Sequence, residues 1–505
     1  MIRHDLIAQH ASARPADLAL ADQETSLTWA EFAGLVDKAT TALSTLLASR
    51  PCGNQSRIAF LADSTVEVVV LQAAAATLGV PIVGVDHSLP AEHVAGCIAQ
   101  IRPAVLAVSP THRPLADEAL GILGNCRTMV TSLGQGVPVG DWLRPSAEST
   151  EQVLIRWNKP SFLALGFTSG TSGQPKMIVR TATNDARRHQ DIVSTFAVTS
   201  KDVYLNTVPL FHASSSGWAR IFLTEGAPVV IAGELDAEQM ARLAARHRAT
   251  FSLMVPPVLA TYVKVLRTLD DVPVTPFRAL VTGGRQVSPA LVRDVVERWG
   301  HVLHIYYGTT ETGLNTLATP ADLAEAPTTV GRAFPGNKIA ILDPDDLPVE
   351  RGEVGTVAIS GYMIADRFST PSAPHVVVDE EPFWRTGDSG RLDDKGRLTI
   401  LGRDQSGRSF DVVGAEAELR ELPCVQDVYV QVMSKRGTSS AVAAYVPKDP
   451  AADSAKVRRL DERITATVAE VLGIRDVRIV RLPSIPYSPS GKVRPKGILI
   501  EVNAA

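Results

Sequence analysis

Between residues 57 and 108, short apolar runs alternate with segments of helical period, and this alternation restricts the possible folds more than any other feature. Residues 57–61 read as a strand, 66–78 as a helix, 80–85 as a strand, 91–100 as a helix and 105–108 as a strand. Strands joined through helices run parallel, and a parallel sheet needs helices on both faces. Ahead of this block, residues 28–47 carry apolar side chains at helical spacing, with Thr28 and Glu31 placed as a capping box. Runs at 202–207, 229–232, 251–255, 279–282 and 304–307 extend the strand series. The expected class is α/β, with ligands bound beyond the carboxyl ends of strands.

A chain of 505 residues exceeds what one hydrophobic core organises. From about residue 331 the helical period gives way to short strands at 338–342, 357–360 and 398–401 separated by turn signals, which predicts a β-rich subdomain over about 331–403. The polar stretch 404–408 reads as a linker. Beyond it, strands at 425–432, 441–446 and 477–480 with a helix at 457–472 predict a small α+β domain over 404–505, separate from an N-terminal core of 1–403.

A formal net charge of −4 offers no global attraction to nucleic acid or to an anionic membrane. Cys52, Cys97, Cys126 and Cys424 lack the spacing of a zinc cluster or a disulfide framework and read as reduced thiols. Residues 1–5 meet a charge before any apolar core of a signal peptide. The most apolar span, 68–85, contains Gln72, Thr77, Gly79 and Pro81 and reads as a helix followed by a buried strand. A cytoplasmic location with no membrane partner is expected.

The chemistry concentrates at 167–176, Phe-Thr-Ser-Gly-Thr-Ser-Gly-Gln-Pro-Lys, after the apolar run 162–166. Hydroxyls, two glycines and a lysine within nine positions (168–176) can converge on a polyanion. The spacing differs from the common P-loop because Gln174 and Pro175 separate Gly173 from Lys176. A Ser/Thr/Gly-rich surface loop between two strands is the plain alternative.

Four more motifs follow in order: Tyr307-Gly308-Thr309-Thr310-Glu311, Arg385-Thr386-Gly387-Asp388, Gly402-Arg403 and Pro489-Ser490-Gly491-Lys492. In that order the chain resembles the adenylate-forming superfamily of acyl- and aryl-CoA ligases, nonribosomal adenylation domains and luciferases. The resemblance covers nearly the whole chain. It implies a large N-terminal domain of αβαβα-type subdomains plus the β-rich one, and a small mobile C-terminal domain hinged at Asp404 or Gln405. It also implies ATP and Mg²⁺ as cofactors. A carboxylate would attack the α-phosphate of ATP, expel pyrophosphate and become an acyl-AMP.

By resemblance, Thr168, Ser169, Gly170, Thr171, Ser172, Gly173 and Lys176 cradle the β- and γ-phosphates. Glu311 is the metal ligand and Thr310 bonds a phosphate oxygen. Tyr307, Gly308 and Thr309 lie at the nucleotide, and Gly283, Gly284 and Arg285 flank adenine through their backbone. Asp388 accepts the ribose hydroxyls, and Arg403 bonds ribose or phosphate. Lys492 bridges the carboxylate and the α-phosphate, a role whose loss costs roughly 10²- to 10³-fold.

His212, after Phe211, matches a position beside the acyl group or is a packed or capping histidine. Candidate pocket walls are Leu205, Ser216 and Gly217, then Val255, Pro256, Gly308, Leu314 and Asn315. They are small or apolar and show no cation for a second carboxylate, which suits a small hydrophobic monocarboxylic acid.

Two departures stand out. Met177 replaces the glycine usual after Pro-Lys. Residues 404–418 are shorter than in relatives and lack the lysine and proline of a segment that lines the pantetheine tunnel in thiol-using members. This weakens the case for CoA more than the case for adenylation, and resembles ATP-dependent amide synthetases such as the coronafacic acid ligases. An amine acceptor, a CoA or carrier-protein thiol, and a non-catalytic nucleotide or acyl-adenylate sensor remain open, with luciferase-like oxidation more remote.

Overall fold

The computed structural model describes residues 4–48, 56–124, 128–134, 163–168, 175–309, 311–364, 367–368, 375–403, 410–435, 438–449, 454–487, 493 and 498. They form a mixed α/β fold. The chain divides into two compact units, one of Met1–Met254, Thr261–Leu280 and Ala365–Ser372, the other of Val255–Ala260, Val281–Ile364 and Ala373–Ala505.

The first unit contains the parallel sheet that the alternation predicts. Its strand order is Ile82–Gly84, Ile58–Leu61, Val105–Val108, Met129–Ser132. Every residue of Ile58–Leu61 and Val105–Val108 is buried, as strands covered on both faces should be. The helix Ala91–Ile101 puts Val94, Ile98 and Ile101, spaced by three and four, into one apolar cluster with Leu106 and Val108. A second set runs in the order Phe251–Leu253, Tyr204–Asn206, Val229–Ile231, Leu18–Ala21, all parallel, closed by antiparallel Ser26–Thr28. The capping box forms: Glu31 Oε2 accepts from Thr28 N at 2.8 Å, and Thr28 Oγ1 accepts from Glu31 N at 3.3 Å, at the start of the helix Trp29–Ala48.

The strand that leads into the phosphate-loop candidate is not part of the parallel sheet. Leu163–Thr168 pairs antiparallel with Lys176–Thr181, on whose other side Arg367–Phe368 lies. Leu165, Phe167, Met177 and Val179 all turn into the cluster around the parallel sheet. This period of two is hidden in the sequence because the run's intervening residues are also apolar or glycine.

In the second unit, Ala279–Gly283, Leu303–Thr309, Gly313–Ala318 and Arg332–Ala333 lie side by side in that order. An antiparallel sheet of Asn337–Leu342, Gly355–Gly361, Glu381–Leu392 and His375–Val378, with Leu398–Arg403 on Glu381–Leu392, forms the β-rich region. Residues 385–388 lie inside the strand Glu381–Leu392. The turn chemistry makes a bulge there: the register jumps between Thr356 and Ala358, and Gly387 takes φ 74°. The last segment pairs Val425–Lys435 antiparallel with Thr438–Pro447, which then joins Val477–Arg481 in parallel through the helix Ser454–Leu472.

Cys97 is buried, which pushes its thiol up to about 12, and Cys424 is exposed. Cys52 and Cys126 lie outside the described residues. Among the described residues no helix is long and apolar enough to cross a membrane.

Candidate active site

At the hairpin, Thr168 and Lys176 are register partners, while Ser169, Gly170, Thr171, Ser172 and Gly173 lie outside the described residues. The exit from the tip is held by Gln100, at the end of the helix Ala91–Ile101. Its Nε2 donates to the Pro175 carbonyl at 2.9 Å and its Oε1 accepts from Met177 N at 3.2 Å. Both ends of one amide therefore fix the backbone on either side of Lys176. No local sequence signal points to Gln100, because its partners lie more than seventy positions away. The methionine that stands where relatives carry glycine has a packing role, since it joins the apolar cluster of the parallel sheet.

Phe211 and His212 lead into the helix Ala213–Thr224. His212 occupies the N-cap position without a capping bond from its side chain, and its ring centroid lies 4.5 Å from that of Phe211. Leu205 is fully buried. The Ser216 hydroxyl donates to the Leu210 carbonyl at 2.5 Å and accepts from Gln72 Nε2 at 2.9 Å. Arg188 lies against Gly217: an added Cβ would stand 2.5 Å from its Nη2, the movable end of that side chain. A cation therefore does lie against the predicted pocket wall. Asp185 is 3.7 Å from Arg188 and 2.8 Å from Arg220. Burial raises the Asp185 carboxyl, but the two guanidiniums outweigh it and hold the group down at about 2.

In the second unit, tight backbone packing shapes the nucleotide-motif residues. A Cβ on Gly283 would meet the Tyr306 carbonyl at 2.3 Å, and Gly284 takes φ 78°. A Cβ on Gly308 would stand 2.0 Å from the Gly313 carbonyl, so the hairpin Leu303–Thr309/Gly313–Ala318 closes only with glycine there. Thr309 Oγ1 accepts from Thr312 N at 3.1 Å and bonds the Thr312 hydroxyl at 2.9 Å, which fixes the turn that carries the half-buried Glu311. Thr310 lies outside the described residues. Val255 and Pro256 are buried, as is Leu314. Asn315 is fully buried, and neither its amide oxygen nor its nitrogen has a hydrogen-bond partner among the described residues. Leaving such a group unsatisfied costs about 1–3 kcal/mol.

Tyr307 and Arg403 hold Asp388 between them. Tyr307 Oη donates to Asp388 Oδ2 at 2.6 Å, and Arg403 Nε stands 3.2 Å from Oδ1. The β-pairing of Asp388 with Arg403 and a bond from Asp388 N to Thr386 Oγ1 at 3.1 Å fix the carboxylate's backbone. Burial first, then the Asp388 charge, hold the Tyr307 phenol well above its ordinary value, so it stays a donor. Each carboxylate oxygen keeps acceptor capacity beyond the one bond described.

Arg285, assigned only a backbone role from sequence, uses its side chain. The guanidinium lies 4.2 Å over the Tyr487 ring and 4.0 Å from Asp427, whose other oxygen accepts from the Tyr487 hydroxyl. Gln286 donates to the Val413 carbonyl at 2.7 Å and accepts from Arg420 at 3.2 Å. Gln286, Arg420, Asp427 and Tyr487 were not foreseen, because they are ordinary polar residues until the chain brings them together. Lys492, Asp404 and Gln405 lie outside the described residues; Val493 forms a bridge to Tyr487.

The AMP-binding enzyme family matches residues 7–368, and the chain belongs to that family within the adenylate-forming superfamily. It is an ATP-dependent ligase that forms an acyl-adenylate. Indoleacetate–CoA ligase of Aromatoleum aromaticum is 26% identical over 97% of this chain and 96% of its own. Amide bond synthetase McbA from Marinactinospora thermotolerans superposes with a TM-score of 0.79 at 23% identity over 98% of this chain and 99% of that one. O-succinylbenzoate coenzyme A synthetase from Bacillus subtilis, in complex with ATP and magnesium, gives 0.77 at 20% identity over 97% and 98%.

Proposed function

We propose that this ligase activates a small carboxylic acid as its acyl-AMP and passes the acyl group to an amine, giving an amide. The observation that carries the amine is the connection after Arg403. Residues 404–411 alone separate the strand Leu398–Arg403 from the helix Val412–Arg420, and the lysine and proline expected of a pantetheine-lining segment are missing from it. An amine needs no long tunnel, because a positioned nucleophile attacks an acyl-adenylate directly.

In the first half-reaction the hairpin residues Thr168 to Lys176 hold the β- and γ-phosphates, with Gln100 keeping the exit strand in place. Glu311 fits Mg²⁺: it is one carboxylate on a rigid turn, and that ion commonly takes one or two carboxylates plus substrate phosphates. When bound, the ion neutralises charge as pyrophosphate leaves. Asp388, oriented by Tyr307 and Arg403, accepts the ribose hydroxyls. Lys492 bridges carboxylate and α-phosphate, so the segment beyond Asp404 has to reorient before the amine arrives. The buried, unsatisfied amide of Asn315 favours an acid with one polar substituent over a plain hydrocarbon chain.

A CoA or carrier thiol is the second reading, favoured by the named indoleacetate–CoA ligase relative. The two part cleanly when the protein is incubated with ATP, Mg²⁺ and a panel of carboxylic acids, with CoA and mixed amino acids in parallel. AMP with an amide supports the amine. AMP with acyl-CoA overturns it.

A further inference from the structure

The parallel sheet of the first unit carries a second concentration of chemistry, apart from the nucleotide residues. Its central strand Ile58–Leu61 has the next strand, Ile82–Gly84, on one side and the one after, Val105–Val108, on the other. Successive crossovers therefore diverge at Ile58–Leu61, and a crevice opens at the carboxyl ends of strands where an α/β sheet reverses its order. The segments that follow the three strands carry Asp63, His87 and His112, with Asp86 beside His87 bonded to Ser88.

One ligand atom from each of these three lies within 4.8 Å of the others. His112 Nε2 is 2.8 Å from Asp63 Oδ1, and the His87 and His112 rings stack with centroids 4.1 Å apart at 16°. Ligands roughly 2.0–2.2 Å from a tetrahedral ion stand about 3.3–3.6 Å apart, a spacing between the 2.8 Å His112–Asp63 contact and the 4.8 Å limit of the cluster, so side-chain adjustment in both directions would admit one. The imidazoles are largely buried, at 14% and 17% exposure for His112 and His87, while Asp63 at 38% leaves one side open. Glu234 Oε1, 3.0 Å from His87 Nε2, is the kind of carboxylate that orients a metal-binding imidazole. Its other oxygen accepts from Ser64 N at 2.7 Å.

We infer that Asp63, His87 and His112 form a binding site for one borderline divalent cation of the zinc class. Two imidazoles and one carboxylate select such an ion over Mg²⁺ or Ca²⁺, which prefer all-oxygen sets. An ion held there ties three strand-end loops together. It also braces a fourth, since Leu210 N donates to Ser64 Oγ at 2.9 Å and the Phe211 ring meets His87 edge-on at 5.0 Å. That fourth loop leads to His212. The competing use of these residues is two histidine–carboxylate pairs that hold loops with no metal.

Untagged full-length protein, stripped with chelator and then titrated with Co²⁺ at pH 7.5, decides between them. The expected result is one Co²⁺ per chain with a visible absorption band, displaced by Zn²⁺ and accompanied by a rise in Tm. His87→Gln and His112→Gln should each weaken uptake at least about 10-fold, with Glu311→Gln leaving it unchanged. Asp63→Asn, nearly isosteric, gives the same reading if loss of an imidazole disturbs folding, which far-UV circular dichroism reports. Uptake should also fall in acid, as protons compete with the ion for the two imidazoles. No uptake by the wild-type chain, or uptake unchanged in the folded variants, overturns the site.

Discussion

At the scale of single residues, one missing side chain and one buried carboxylate set the terms. Gly308 leaves no room for a Cβ, which would fall 2.0 Å from the Gly313 carbonyl. Gly308→Ala is therefore expected to open the hairpin under Glu311 and to lower acid-dependent ATP–pyrophosphate exchange at least 10-fold while the protein still folds; exchange near the wild-type rate would show that the turn does not position that carboxylate. Asp185 is 8% exposed between Arg188 and Arg220 and is held down at about 2. Because its folded value lies below the unfolded one, its stabilisation is fully present above about pH 4 and is lost as the pH falls through about 2. Asp185→Asn should cost roughly 2 kcal/mol at pH 7 in urea titrations, and the gap from wild type should narrow as the pH falls toward 3. A gap independent of pH would mean that packing, rather than charge, holds the triad.

At the scale of elements, the phosphate-loop candidate is best understood as a hairpin whose exit strand is pinned by a neighbouring helix. Gln100→Ala removes both bonds to the backbone at Pro175 and Met177. The expected outcome is a several-fold rise in KM for ATP with little change in Tm; an unchanged KM would assign Gln100 to packing alone. On the other unit, Arg285 and Gln286 contact Tyr487, Asp427, Arg420 and Val413. These bonds have to break if the C-terminal segment reorients between half-reactions. Arg285→Ala is expected to change the ratio of pyrophosphate exchange to overall product formation, measured on the same preparation. Equal loss of both would indicate that Arg285 serves the nucleotide rather than the docked arrangement.

At the scale of the whole molecule, the α/β class was legible because strands such as 58–61 and 105–108 are continuous apolar runs and Thr28 with Glu31 announces its helix. The β-rich region was legible from its turns, although the bulge at residues 386–388 was not, since local φ preferences do not reveal whether pairing continues beyond them. The nucleotide motifs were legible as strings, and the structure adds what strings cannot carry: Gln100, Arg188 and the Arg285–Tyr487 stack depend on contacts between residues far apart in the chain. The acceptor was the least legible, because it depends on a short connection whose meaning lies in what is missing. The most direct test is a chase. Acyl-adenylate is formed on the protein from acid, ATP and Mg²⁺, then divided between CoA and a mixture of amino acids at equal concentration, and products are resolved by mass spectrometry. Release of an amide in step with AMP is the predicted result, and release of acyl-CoA with no amide would contradict it.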